Sequence, residues 1–202
     1  VRRVVLASSC AVYGDDPELP KTEMMTPKPA SPYAVQKLSA EHYARVYSEL
    51  FGVETACLRY FNVYGPRQDP SSPYSGVISV FIKAILAGER PVIWGDGEQT
   101  RDFTYVANVV DGVLRAARAR GVSGEVINVA AGDRVSINRL FQALRDLTNT
   151  DVEPLYGPPR PGDVRDSQAD LTLAKRLLDY TPLVEFEEGL RRTVDWYREN
   201  AD

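Results

Sequence analysis

The chain has 202 residues, 44% hydrophobic and 26% charged, enough for one compact core or a core with a small lobe; no apolar run approaches the ~20 residues that span a bilayer. A formal charge of −4 argues against nucleic acid as a partner, because phosphate binding calls for a basic footprint. Two cysteines (Cys10 and Cys57) and the single histidine His42 are too few for a disulfide framework or a zinc cluster. The expectation is therefore a cytoplasmic, metal-free protein with reduced core thiols, no membrane segment and no leader.

Val1–Ala7 (VRRVVLA) is short and β-branched, the pattern of a strand buried on both faces of a parallel sheet. Residues 15–30, rich in proline and charge, read as an excursion loop. A helix is predicted from Ser31, a capping residue followed by Pro32, to Gly52. A second strand follows at 53–60, then a loop, a helix at 77–87 and a short strand in PVIWG. Helical spacing marks 104–121, a third buried strand 125–130, and Ser136 caps another helix. Two further helical patterns, TLAKRLLDY and FEEGLRRTVDWYREN, complete the chain. This order implies α/β layering with right-handed crossovers, although three parallel strands make a thin sheet.

Tyr33 and Lys37 stand four apart on the first helix and share a face. An ammonium group beside a phenol favours phenolate, which makes Tyr33 a usable acid/base; the spacing alone is also common on ordinary surface helices. Ser8 and Ser9 end the first strand and Asn62 follows the second, where parallel sheets place their ligands. Each could equally satisfy turn or loop backbone.

The stretches SSCAVYG, SPYAVQK, LRYFNVYGPRQ, GDGEQTRDFTYV and RPGDVRDSQAD, in this order, resemble the extended short-chain dehydrogenases/reductases of the NAD-dependent epimerase/dehydratase family. Similarity is greatest to the UDP-sugar 4-epimerases, those acting on UDP-GlcNAc and UDP-glucose. The resemblance implies a Rossmann-like fold with a small α/β substrate lobe. Residues 1–75 would belong to the dinucleotide domain and 76–202 mainly to the lobe, with a return strand near 125–130. It also implies NAD as cofactor, yet the family's G-x-x-G-x-x-G turn is nowhere in this sequence. Val1–Ala7 corresponds to the family's fifth strand, so about half of the dinucleotide domain is expected to lie outside this chain, with NAD affinity weak or lost.

By the same resemblance Tyr33 exchanges the proton of the sugar O4, Lys37 holds the nicotinamide ribose, Ser9 hydrogen-bonds O4, and Tyr60 lies beside the nicotinamide unless it is simply core. Arg101 and Arg160 would clamp a UDP diphosphate, with surface ion pairing to Asp102 or Asp163 as the alternative. Ser8 and Asn62 (a diphosphate contact), Asp163 (a ribose contact), and Val77, Phe81, Val92 and Trp94 (the uridine) complete the expected set; for the last four, core packing is a near-equal reading. Related dehydratases and decarboxylases need acidic residues where this chain has Cys10 and Ala11, which leaves C4 epimerisation. Ser167 is small where a large residue would exclude a 2-acetamido group, favouring UDP-GlcNAc/UDP-GalNAc with UDP-Glc/UDP-Gal also accepted. A UDP-glucuronate epimerase and a non-catalytic nucleotide-sugar-binding or self-associating domain remain alternatives. The face of Ala40, Tyr43, Val46, Tyr47 and Leu50 is expected to be uncovered and to drive homodimerisation or higher self-association.

Overall fold

A computed structural model describes residues 1–71, 76–160 and 164–200. Asp163 and the residues just before the expected boundary at 75 lie outside them. Strand β1 (Arg3–Ser9) runs into a 3-10 turn at Cys10–Tyr13, capped by Ser9 Oγ, which accepts the Ala11 N–H at 3.2 Å. Helix α1 (Pro32–Phe51) begins where Ser31 Oγ accepts the Ala34 N–H at 3.2 Å and ends at Gly52, whose φ of 66° suits a residue without Cβ. There follow β2 (Glu54–Tyr60), β3 (Val63–Tyr64), α2 (Val77–Leu86), β4 (Val92–Trp94), β5 (Thr100–Arg101), β6 (Thr104–Tyr105) and α3 (Val106–Arg118). The chain continues through β7 (Glu125–Val129), β8 (Val135–Ser136), α4 (Ile137–Thr148), β9 (Leu155–Gly157), α5 (Thr172–Leu178) and α6 (Phe186–Glu199).

The central sheet is β1-β2-β7, all parallel, so every carboxyl end opens on the same side. Its last row is Ser9, Tyr60 and Val129 in register. β2 lies between the other two, and its interior residues are all buried. Ala56, Leu58, Ile127 and Val129 pack there with Ala116 of α3 and Leu178 of α5.

A second core gathers under α2, α4 and α6 around Ile78, Phe81, Phe103, Leu140, Phe186 and Leu190. Phe81 meets Phe141 edge-on with ring centroids 6.4 Å apart, and Phe103 stacks on Phe186 at 5.8 Å. Short ladders tie this part together: β3 with β6 and β4 with β9 run parallel, and β5 with β8 antiparallel. The helix expected from residue 104 therefore starts two residues later. Thr104 and Tyr105 extend instead beside Val63 and Tyr64, with the Thr104 N–H donated to the Asn62 carbonyl at 3.2 Å.

α1 is dressed the opposite way from a surface helix. Its sheet-facing side is pinned by polar bonds: Lys37 Nζ to the Ala7 carbonyl at 2.9 Å, Glu41 to Ser8 and Arg59, Thr55 Oγ1 to the Ala44 carbonyl at 2.9 Å, and Ser48 with Ser123 at 2.7 Å. Its outer side carries Tyr43, Val46, Tyr47, Leu50 and Phe51 exposed, with Ala40 half-buried. No helix among the described residues is long and apolar enough to cross a membrane.

Candidate functional site

The sheet end and α1 bring the first group of expected residues together. Lys37 Nζ sits 5.6 Å from the Tyr33 ring centroid and is held by the carbonyl of Ala7, two residues before Ser9. Tyr33 itself is half exposed. Ser9 accepts from Ala11, which leaves its own proton free to be donated. Tyr60, half-buried, packs against the core cluster around β2, and burial pushes its phenol up.

Ser8 is elsewhere. The alternation of a strand turns its side chain away from that of Ser9, and its buried hydroxyl donates to Glu41 Oε1. Glu41 and Arg59, each with a side chain only 4% exposed, form a two-bonded pair at 2.9 and 2.7 Å. The Arg59 guanidinium lies 4.7 Å from the Tyr13 ring centroid, and Tyr13 donates to Asn128 at 2.7 Å. Burial pushes the Tyr13 phenol up to about 12. Ser8 thus anchors α1 rather than facing a crevice. Sequence reasoning missed Glu41, although it extends the Tyr33–Lys37 stripe by one more turn.

Beyond β2 the structure opens a cavity of about 470 Å³, within the range of small-molecule sites. Seven expected residues line it: Asn62, Val77, Phe81, Val92, Trp94, Arg101 and Arg160. Phe81 also belongs to the second core, and Val77 packs against it. The Arg160 guanidinium stacks 4.5 Å over Trp94. Arg101 Nη1 donates to the carbonyls of Thr100 and Arg165 at 2.9 and 3.0 Å.

Asp102, weighed as a surface ion pair, is instead fully buried. Its carboxylate accepts the N–H groups of Ala131, Gly132 and Ala169 at 2.9, 3.0 and 3.1 Å. Burial pushes its carboxyl up to about 6 against those donors. Ser167 is not in the cavity wall. Its buried Oγ accepts from Asn62 Nδ2 at 3.1 Å and from the Asp102 N–H at 3.3 Å, just behind Asn62. Cys10 completes the junction: burial pushes its thiol up to about 11, although the Asn62 N–H bonds the sulfur. Asn62 and Cys10 therefore join the sheet end to the cavity.

A model of the NAD dependent epimerase/dehydratase family matches residues 1–130. The chain belongs to that family. It is 40% identical over its whole length to a UDP-glucose 4-epimerase of Mycolicibacterium smegmatis, of which it covers 64%. It is 36% identical to a UDP-glucuronate 4-epimerase of Thermodesulfobacterium geofontis, again over its whole length and 61% of that protein. The structure of a UDP-N-acetylglucosamine 4-epimerase from Methanobrevibacter ruminantium M1, in complex with UDP-N-acetylmuramic acid, superposes with a TM-score of 0.94. Identity there is 44%, covering 98% of this chain and 64% of that one. The chain thus spans less than two thirds of the length of each, and its α/β architecture is that of the family.

Proposed function

We propose that this chain carries the acid/base residues and the sugar-nucleotide grip of a UDP-sugar 4-epimerase. The observation that carries the reading is adjacency: Tyr33, Lys37 and Ser9 at the sheet end lead through Asn62 into a cavity holding Arg101, Arg160 and an apolar wall. Residues 1–75 with the return strand would do the chemistry, and 76–202 would bind the nucleotide.

In this reading the uracil and ribose lie along Val77, Phe81, Val92 and Trp94. Guanidinium forks on Arg101 and Arg160 match diphosphate oxygens. Ser9 donates to the sugar O4, and Tyr33 takes the O4 proton as the C4–H bond breaks, then returns it after the 4-keto sugar has turned over. Lys37 stabilises the phenolate and orients a ribose diol. NAD supplies the hydride acceptor and donor. Tyr33 and Lys37, exposed or partly exposed at the strand ends, fit its nicotinamide-ribose end, while the glycine-rich turn for its pyrophosphate is not in this sequence.

The small Ser167 behind Asn62 supports UDP-GlcNAc/UDP-GalNAc, with UDP-glucose/UDP-galactose also accepted. The uronate epimerase relative keeps UDP-glucuronate as the second reading. The exposed apolar face of α1 supports a homodimer built on that helix. The test is the NAD content of the purified chain together with interconversion of UDP-GlcNAc and UDP-GalNAc. About one NAD per chain with turnover supports the enzyme. UDP binding without NAD or turnover supports a sugar-nucleotide-binding unit instead.

A further inference from the structure

A second hollow, of about 500 Å³, opens between α3 and α5 and shares no lining residue with the cavity of Arg101 and Arg160. Arg115, Arg118, Arg120 and Arg176 line it, with Leu114 and Leu177 among its apolar residues. Arg118 ends α3, Arg120 follows it and Arg176 belongs to α5, so the fold gathers these charges from two helices. Both helices end here, and helix ends draw cations to their open carbonyls. Other groups already meet that need. Arg3 Nη1 donates to the Ala116 and Ala119 carbonyls at 2.9 and 2.6 Å, and Arg115 Nη1 donates to those of Leu178 and Asp179.

The two carboxylates of the hollow, Asp111 and Asp179, both pair with Arg115, at 2.6 and 3.5 Å. Arg118, Arg120 and Arg176 are exposed and have no hydrogen-bond or ion-pair partner among the described residues. Other exposed arginines of this acidic chain do find carboxylates: Arg45 holds Glu49, Arg139 holds Glu187, and Arg191 and Arg192 share Glu188. Three guanidinium forks thus stand open around one hollow of small-molecule size, and each fork matches the oxygens of a phosphoryl group. We propose that this hollow is a second anion site, for a chain of three phosphoryl groups carried by a nucleoside triphosphate or free as tripolyphosphate. Leu114, exposed, and Leu177, half-buried, offer apolar contact to a base that free tripolyphosphate lacks.

The test is calorimetric titration of the chain with inorganic tripolyphosphate and with ATP, beside a variant carrying Arg118→Ser, Arg120→Ser and Arg176→Ser. These exposed substitutions should leave the urea midpoint nearly unchanged. Whatever the first cavity binds, the variant should lose one tripolyphosphate site per chain, or hold it at least about tenfold more weakly. In the wild-type chain, tripolyphosphate should shift the amide NMR signals of residues 114–120 and 174–179. ATP binding about tenfold tighter than tripolyphosphate would assign the site to a nucleotide, and equal binding would assign it to the phosphoryl chain alone. Identical isotherms for the wild type and the folded variant, or no shift of those amides, would overturn the proposal. Binding of a polyglutamate peptide there without binding of tripolyphosphate would overturn it in favour of an acidic protein segment.

Discussion

The two halves of the candidate site are held by different physics. α1, which bears Tyr33 and Lys37, is fixed by directional bonds from Lys37, Glu41, the Ala44 carbonyl and Ser48. The cavity wall rests on an apolar and aromatic core, with α2, α4 and α6 packed around Phe81, Leu140 and Leu190. Apolar packing fills volume but tolerates small rotations; a two-bonded carboxylate–guanidinium pair does not. The difference suits the tasks. A proton-transfer residue must keep its direction, whereas a nucleotide pocket must keep its shape.

This contrast can be broken at its strongest point. Glu41→Leu strands Arg59 in the interior and should cost about 3–5 kcal/mol in urea unfolding, whereas Glu41→Leu with Arg59→Leu should recover a large part of that loss. Losses that simply add would show that the pair is not the pin described. Asp102, at the seam, offers a pH signature. Its carboxyl is raised to about 6 in the folded chain, so between the unfolded value and about 6 the native state holds the extra proton. Stability from this group is fully present below the unfolded pKa and falls as pH rises through about 6, on the order of 3 kcal/mol in all. Urea midpoints from pH 4 to 7, compared with those of Asp102→Asn, should isolate that decline.

Two further variants sharpen the other side. Arg160→Ala should weaken UDP by about 10- to 100-fold, the worth of charge-assisted bonds to phosphate. UDP should also draw the wild-type guanidinium off Trp94 and change its fluorescence, a response the variant lacks; identical spectra would place Arg160 outside the diphosphate grip. On the outer face of α1, Leu50→Glu should change stability by less than about 0.5 kcal/mol while lowering the mass seen by light scattering. An unchanged mass would separate this face from self-association.

The long elements were legible because their signals are local. Ser31, Pro32 and Gly52 bound α1 as a capping serine, an N-terminal proline and a C-terminal glycine should, and Ser136 caps α4 by accepting the Arg139 N–H at 3.1 Å. The two-residue strands β3, β5, β6 and β8 carry no period at all and exist only through their partners. At the site, the cavity residues were reached through motif resemblance, and the structure gathers seven of them around one cavity. The side-chain partners of Ser8 and Ser167 were not legible: strand alternation turns the Ser8 hydroxyl to Glu41, and the Ser167 hydroxyl accepts from Asn62 behind the cavity. Asp102 was passed over because a carboxylate beside an arginine in sequence suggests an ion pair, while its partners are three distant backbone N–H groups.

The most direct test of the account is calorimetric titration of the chain with UDP, beside the same titration of Arg101→Ala with Arg160→Ala. The account predicts one UDP bound per wild-type chain and binding lost in the double variant. Absence of UDP binding by a folded wild-type chain, or equal binding by the folded double variant, would contradict it.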